Sequence, residues 1–174
     1  MSAIIKPLSH TELMMSSLLS HKGVKMHRRT LPHRSGRVKE ESSRYHRLKN
    51  NPRITNASSA YAHLAEYHSK KREHFIAIFL DGASRVIDTH IVSIGTINQS
   101  LVHPREVFHP AITANAVGII LAHNHPSGEL SASRADEKVT TRLKDAGKLL
   151  GIDILDHIII TQNGYYSFSD EGLI

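Results

Sequence analysis

Two imidazoles and one carboxylate stand at a spacing that could hold a metal ion. His123-Asn124-His125-Pro126 is followed by Ser133 and Asp136, a pattern written H-x-H-x7-S-x2-D. Two histidines and one carboxylate make a three-ligand set of the kind that zinc hydrolases use while a fourth position stays open for water. A zinc ion in such a set supplies hydroxide at neutral pH and polarises a carbonyl oxygen, which suits hydrolysis of an amide or isopeptide bond. The histidine pair alone carries little weight. In a chain with 14 histidines among 174 residues, about one H-x-H pair is expected by chance. Requiring Ser and Asp at the observed offsets leaves on the order of 0.005 expected matches, so the full pattern is specific and its fragments are not.

The elements that must position these groups are legible around them. Residues 117–122 (Val-Gly-Ile-Ile-Leu-Ala) read as a buried strand that runs into the two histidines. Residues i and i+2 of a strand point to one face, so His123 and His125 can converge on one ion. Asn124 falls on the opposite face and reads as structural. Pro126, Ser127 and Gly128 then turn the chain. Ser133 opens an amphipathic segment over 134–150, with Val139, Leu143, Ala146 and Leu150 on one face and Gly151 as its C-cap. Asp136 therefore sits in the first turn of a helix. Ser133 and Asp136 also read as an N-cap with an acidic N3 residue, and that role is compatible with work at a metal site.

The remaining chain predicts a mixed sheet. A helix is expected over 58–70, with Tyr61, Leu64, Ala65 and His68 on one face. Residues 75–80 form a buried strand, Asp81-Gly82 begin a hairpin turn, and 86–93 alternate as a half-buried strand. Pro104 suits the first position of a helix over 104–115, which should bend or restart at Pro110. Residues 154–161 form a further strand, and Gln162-Asn163-Gly164 turn it into a last one at 165–168. The order αββαβαββ gives an α/β fold, a mixed β-sheet flanked by helices. Asp156 and His157 lie inside the apolar strand and need partners there. They read as a satisfied core pair, with support of the metal site as the alternative.

At this point the chain resembles a known family. His123 to Asp136 is similar to the metal signature of the JAMM (MPN+) metallopeptidase superfamily. The runs 100–108 (Ser-Leu-Val-His-Pro-Arg-Glu-Val-Phe), 123–128 (His-Asn-His-Pro-Ser-Gly) and 155–160 (Leu-Asp-His-Ile-Ile-Ile) resemble its RadC-like branch. The resemblance covers about residues 53–174. It implies an MPN/JAMM-like fold and a zinc metallopeptidase acting on a peptide or protein substrate, with His123, His125 and Asp136 as ligands. It also implies Ser133 as the oxyanion donor and a glutamate before the first core strand as general base, here Glu73. Spacing alone does not single out Glu73, and Glu106 and Glu129 are competing carboxylates. Relatives in that branch usually carry a helix–hairpin–helix region, and residues 1–50 show no glycine-centred hairpin of that type.

Composition divides the chain. Residues 1–50 hold 11 Lys and Arg against 3 Asp and Glu, whereas residues 51–174 hold 11 against 13. The expected organisation is a basic, disordered extension over 1–50 and a zinc metallohydrolase domain over 51–174. Residues 22–49 have little apolar periodicity, so they cannot bury enough surface to offset the entropy of ordering. They read as a solvated tail; the alternative is a nucleic-acid arm, which their spaced lysines and arginines suit, since such groups release counterions from phosphates. The absence of cysteine excludes disulfides and thiol catalysis and fits a reducing cytoplasm. It also disfavours a zinc deaminase, which uses cysteine ligands. No apolar run approaches the roughly 18–20 residues that span a bilayer, and residues 13–19 are too short and too polar for a signal peptide. The competing functions are a nucleic-acid-associated protein, tied to repair or mobile elements, and an interaction scaffold without activity.

Overall fold

Residues 74–80 (His-Phe-Ile-Ala-Ile-Phe-Leu) show how the sheet is built. Every residue of this strand after the first is buried, so it must be covered on both faces. The computed structural model describes residues 51–95 and 102–174. In chain order it contains α1 (Ala57–His63), a 3₁₀ turn (Ala65–Tyr67), β1 (His74–Leu80), β2 (Val86–Ile94), α2 (Pro104–Ala114), β3 (Gly118–Asn124), α3 (Arg134–Leu150), β4 (Asp153–Thr161) and β5 (Gly164–Ser167). The five strands form one sheet in the order β2-β1-β3-β4-β5. Only β3 and β4 are parallel, joined through α3; the other neighbours are antiparallel. The sheet is therefore mixed, as the sequence predicts.

Period-two alternation sorts the core into two layers. Phe75, Ala77 and Phe79 of β1 join Ile119 and Leu121 of β3 under α2 and α3, with Val107, Phe108, Val139 and Leu143 packed on them. Ile76, Ile78 and Leu80 join Ile120, Ala122, Ile158 and Ile160 on the other face, covered by Ala57, Ala60, Leu64 and Tyr67. His123 continues the odd-numbered face of β3 towards α3, and Asn124 continues the even-numbered face towards the α1 side.

Several local expectations are corrected. The first helix stops at His63 because Leu64 leaves helical geometry as its C-cap, and a 3₁₀ turn follows. Leu64 and Tyr67 are buried, whereas Ala65 is exposed. Strand β2 does not keep one alternation. Its register against β1 slips between Phe75/Ile76 and Phe79/Leu80. The slips leave Ile87 and Val92 packed on the core and Ile91 41% exposed. Helix α2 runs unbroken through Pro110. In the β1–β2 turn the Asp81 carboxylate accepts from the Ala83 and Arg85 amides, both at 2.8 Å. The left-handed residue there is Ser84 (φ 58°), not Gly82.

Helix α3 matches its predicted bounds. It also contains Gly147, although glycine in a helix costs about 1 kcal/mol relative to alanine. The reason is packing: a β-carbon at Gly147 would collide with the Ile152 carbonyl and press on Phe108. Gly151 ends the helix in left-handed geometry (φ 68°) and starts the short return into β4.

Candidate metal centre

His123 lies at the end of β3 with no exposed surface, His125 is half-buried just beyond it, and Asp136 is 4% exposed in the first turn of α3. One ligand atom from each lies within 4.8 Å of the others. His123 Nε2 is 2.9 Å from His125 Nε2 and 3.5 Å from Asp136 Oδ1. The two separations at His123 bracket the edge of about 3.3 Å that a tetrahedron with bonds of about 2.0–2.1 Å requires, and the His125–Asp136 pair lies within 4.8 Å. The structure therefore brings the three residues together as the motif predicts.

The donor set suits a cation. His125 Nδ1 is 2.7 Å from the Glu129 carbonyl, which can only accept, so Nδ1 carries the proton. With Nδ1 committed to that bond, Nε2 is the His125 atom available to a metal. A histidine ligand commonly donates its other ring N–H in this manner. On the other side His123 Nδ1 meets His157 Nε2 at 2.9 Å. Burial pushes His123 down to about 4, against the attraction of Asp136 and with a smaller lowering from His125. Burial likewise holds His157 well below the ordinary histidine value, with His123 and His125 adding to it. Both rings are thus neutral at pH 7, and a neutral imidazole is the form that ligates metals. The 3.5 Å contact of His123 with Asp136 is accordingly not an ion pair.

Ser133 is the N-cap of α3, as expected, and its cap aims the carboxylate. Asp136 Oδ2 accepts from the Ser133 amide at 2.9 Å and from its hydroxyl at 2.6 Å, while the Asp136 amide donates to Ser133 Oγ at 3.2 Å. With Oδ2 held this way, Oδ1 is left for the site. The capping box and the candidate ligand are one device.

Glu73 directly precedes β1 and is half-buried. Phe75 pairs with His123 across the antiparallel β1–β3 ladder. Glu73 stands two residues before Phe75, and its carbonyl accepts from the Gly95 amide at 2.9 Å. Glu73 lines an open cleft of about 400 Å³ with Lys71, Arg72, Gly95, Pro126 and Ser127. Asn124 secures this edge from the opposite face, as its strand position implies. Its side-chain oxygen accepts from the His74 amide at 2.8 Å, and its nitrogen donates to the carbonyls of Lys70 and Arg72, each at 3.1 Å. The competing glutamates make contacts of their own. Glu106 pairs with Arg105 at 3.2 Å on the surface, and Glu129 accepts from the Ser131 hydroxyl at 3.0 Å.

Asp156 and His157 do not pair with each other through their side chains. Asp156 accepts from the His157 and Ser169 amides and from the Ser167 hydroxyl, which ties down the end of the chain after β5. His157 instead contacts His123 of the candidate metal centre, whereas Asp156 is satisfied within the core, so the two do not form the single pair that the sequence suggests. Periodicity could not reveal this, because His157 reaches His123 through strand pairing across 34 positions.

The family model of the RadC-like JAB domain matches residues 54–173. This chain belongs to that family. A UPF0758 protein of Geotalea uraniireducens is 43% identical over 138 residues, which cover 78% of this chain and 60% of the relative. A UPF0758 protein of Methanosarcina mazei is 50% identical over 105 residues, 60% of this chain and 46% of the relative. One from Rubrobacter xylanophilus is 48% identical over 103 residues, 59% of this chain and 45% of the relative. The matches span about half to three-fifths of these curated relatives.

Proposed function

We propose that this protein is a zinc-dependent hydrolase that cleaves an amide or isopeptide bond in a peptide or protein substrate. The observation that carries the reading is the convergence of His123 Nε2, His125 Nε2 and Asp136 Oδ1 beside an open cleft bearing a glutamate. His123, His125 and Asp136 hold the metal. Zinc bound there would make hydroxide available at neutral pH and polarise the scissile carbonyl. Glu73 takes the proton of the attacking water and delivers it to the leaving amine. Ser133 donates to the developing oxyanion. Its hydroxyl now points at Asp136 Oδ2, so it must turn about χ1 to do so. The Ser133 amide stays on Asp136 during that turn and keeps the carboxylate aimed.

The test is cleavage of a peptide library by the zinc-loaded full chain, with a parallel arm stripped by chelator. Cleavage that disappears with the metal and returns with added zinc is expected. Cleavage unaffected by complete removal of the metal would contradict the reading.

The basic run at 22–49 lies outside the described residues. We read it as a solvated tail, with a nucleic-acid-binding arm as the alternative its charge suggests, separate from the hydrolytic domain that we place at 51–174. Among the described residues no helix is long and apolar enough to cross a membrane. A cytoplasmic setting agrees with the cysteine-free sequence. Deleting residues 1–50 is expected to leave a folded, zinc-binding domain, measured by circular dichroism and metal content. Any nucleic-acid affinity should go with the deleted segment and fall steeply with salt in the full chain. Salt-insensitive binding by the 51–174 fragment would contradict this division.

A further inference from the structure

The contacts behind His123 form a directed chain of hydrogen bonds whose every proton can be assigned. It begins at the Asp136 carbonyl, which has no proton to give. Thr140 Oγ1 lies 2.6 Å from that carbonyl and must donate its single proton there. The same oxygen is 2.6 Å from His157 Nδ1 and can now only accept, so His157 carries its proton on Nδ1. His157 is fully buried between Phe75 and Phe168, and with its proton on Nδ1 its Nε2 is the ring atom left to accept. That nitrogen accepts from His123 Nδ1 at 2.9 Å. A neutral His123 with its proton on Nδ1 then has a lone pair on Nε2, directed at His125 Nε2 and Asp136 Oδ1.

We propose that Thr140 and His157 are positioning residues for the metal centre, pinning His123 in the tautomer that turns its Nε2 lone pair on the ion. The chain starts at one ligand, Asp136, and ends at another, His123. It therefore ties the first turn of α3 to the end of β3 through β4, and a bound ion would close it into a ring. Together with the Glu129 carbonyl on His125, it sets all three imidazoles in the Nδ1–H form. That form is the minor one for histidine free in water, so the arrangement is a property of this site.

This inference rests on the metal reading above, and one measurement separates the two. Ring nitrogen shifts and couplings in ¹⁵N NMR of the metal-free full chain report each histidine tautomer. Protons on Nδ1 of His123 and His157 are expected. A His123 Nδ1 without a proton would overturn the inference whether or not the protein binds zinc or cleaves anything. Zinc affinity, measured by competition with a chromophoric chelator, supplies the second readout. Thr140→Val keeps the shape of threonine and removes the hydroxyl, and it should weaken zinc binding by about 10- to 100-fold. Thr140→Ser keeps the hydroxyl and removes a methyl, and it should stay close to wild type. A packing role would reverse that order, since serine leaves the larger gap. Equal affinity in the valine variant and wild type, or a loss in serine as large as in valine, would overturn the proposal.

Discussion

Glu73→Gln is expected to leave the fold and zinc content intact and to lower turnover by about 10²- to 10⁴-fold, the range for losing a general acid–base group. Glutamine matches glutamate in shape and can still hydrogen-bond a water molecule, so proton transfer is what the change removes. The expectation follows from position. Glu73 lies just before β1, whose Phe75 pairs with His123, and Asn124 fastens the Lys70 and Arg72 carbonyls on one side of it and the His74 amide on the other. A group held at both flanks can meet a water at a fixed distance from the ligands. Glu129 is the stronger of the two rivals, because its carbonyl already anchors His125. Steady-state turnover of the three glutamine variants decides between them. Near-normal rates in Glu73→Gln beside a dead Glu129→Gln or Glu106→Gln would move the base to that other carboxylate.

Asp136→Asn should abolish zinc retention while keeping the helix. An asparagine side chain can still accept from the Ser133 amide and hydroxyl, so the capping box survives in outline. What disappears is the only negative charge among the three candidate ligands, since the other two ligate metal as neutral imidazoles. The loss of affinity should exceed the roughly 10- to 100-fold that removal of an outer hydrogen-bond partner costs. Helix content by circular dichroism should change little. Zinc retained at the wild-type level in the Asp136→Asn variant would reduce Asp136 to a capping residue.

The parts of this site that local spacing controls were legible in the sequence. His123 and His125 share a strand face two residues apart, and Ser133 with Asp136 announces the start of α3, whose bounds follow from its apolar stripe and Gly151. Contacts that depend on strand pairing were not legible. His157 sits in a run of isoleucines that reads as core, and only the parallel β3–β4 register puts its ring behind His123. Thr140 looks like any polar residue of a helix until its hydroxyl is seen to bridge the Asp136 carbonyl and His157. Asn124 could be assigned to the opposite face, yet its targets at Lys70, Arg72 and His74 belong to a segment some fifty positions earlier. Glu73 needed the family resemblance, because a charge before a strand carries no local signal.

The fold shows the same division. Buried strands β1, β3 and β4 are read from composition alone, whereas β2 misleads because two register slips change which residues face inward. The first helix was read too long because an apolar face at 61, 64, 65 and 68 also fits a helical turn followed by a 3₁₀ turn. Pro110 does not break α2. The helix carries its burial on Val107, Phe108 and Ala111, and packing of that face outweighs one missing hydrogen bond.

The most direct test of the account is elemental analysis of the full chain purified without chelator. About one zinc per chain is predicted, since the described residues hold a single three-ligand group at His123, His125 and Asp136. Metal content near zero that added zinc does not raise, in protein with those three residues intact and folded, would contradict it.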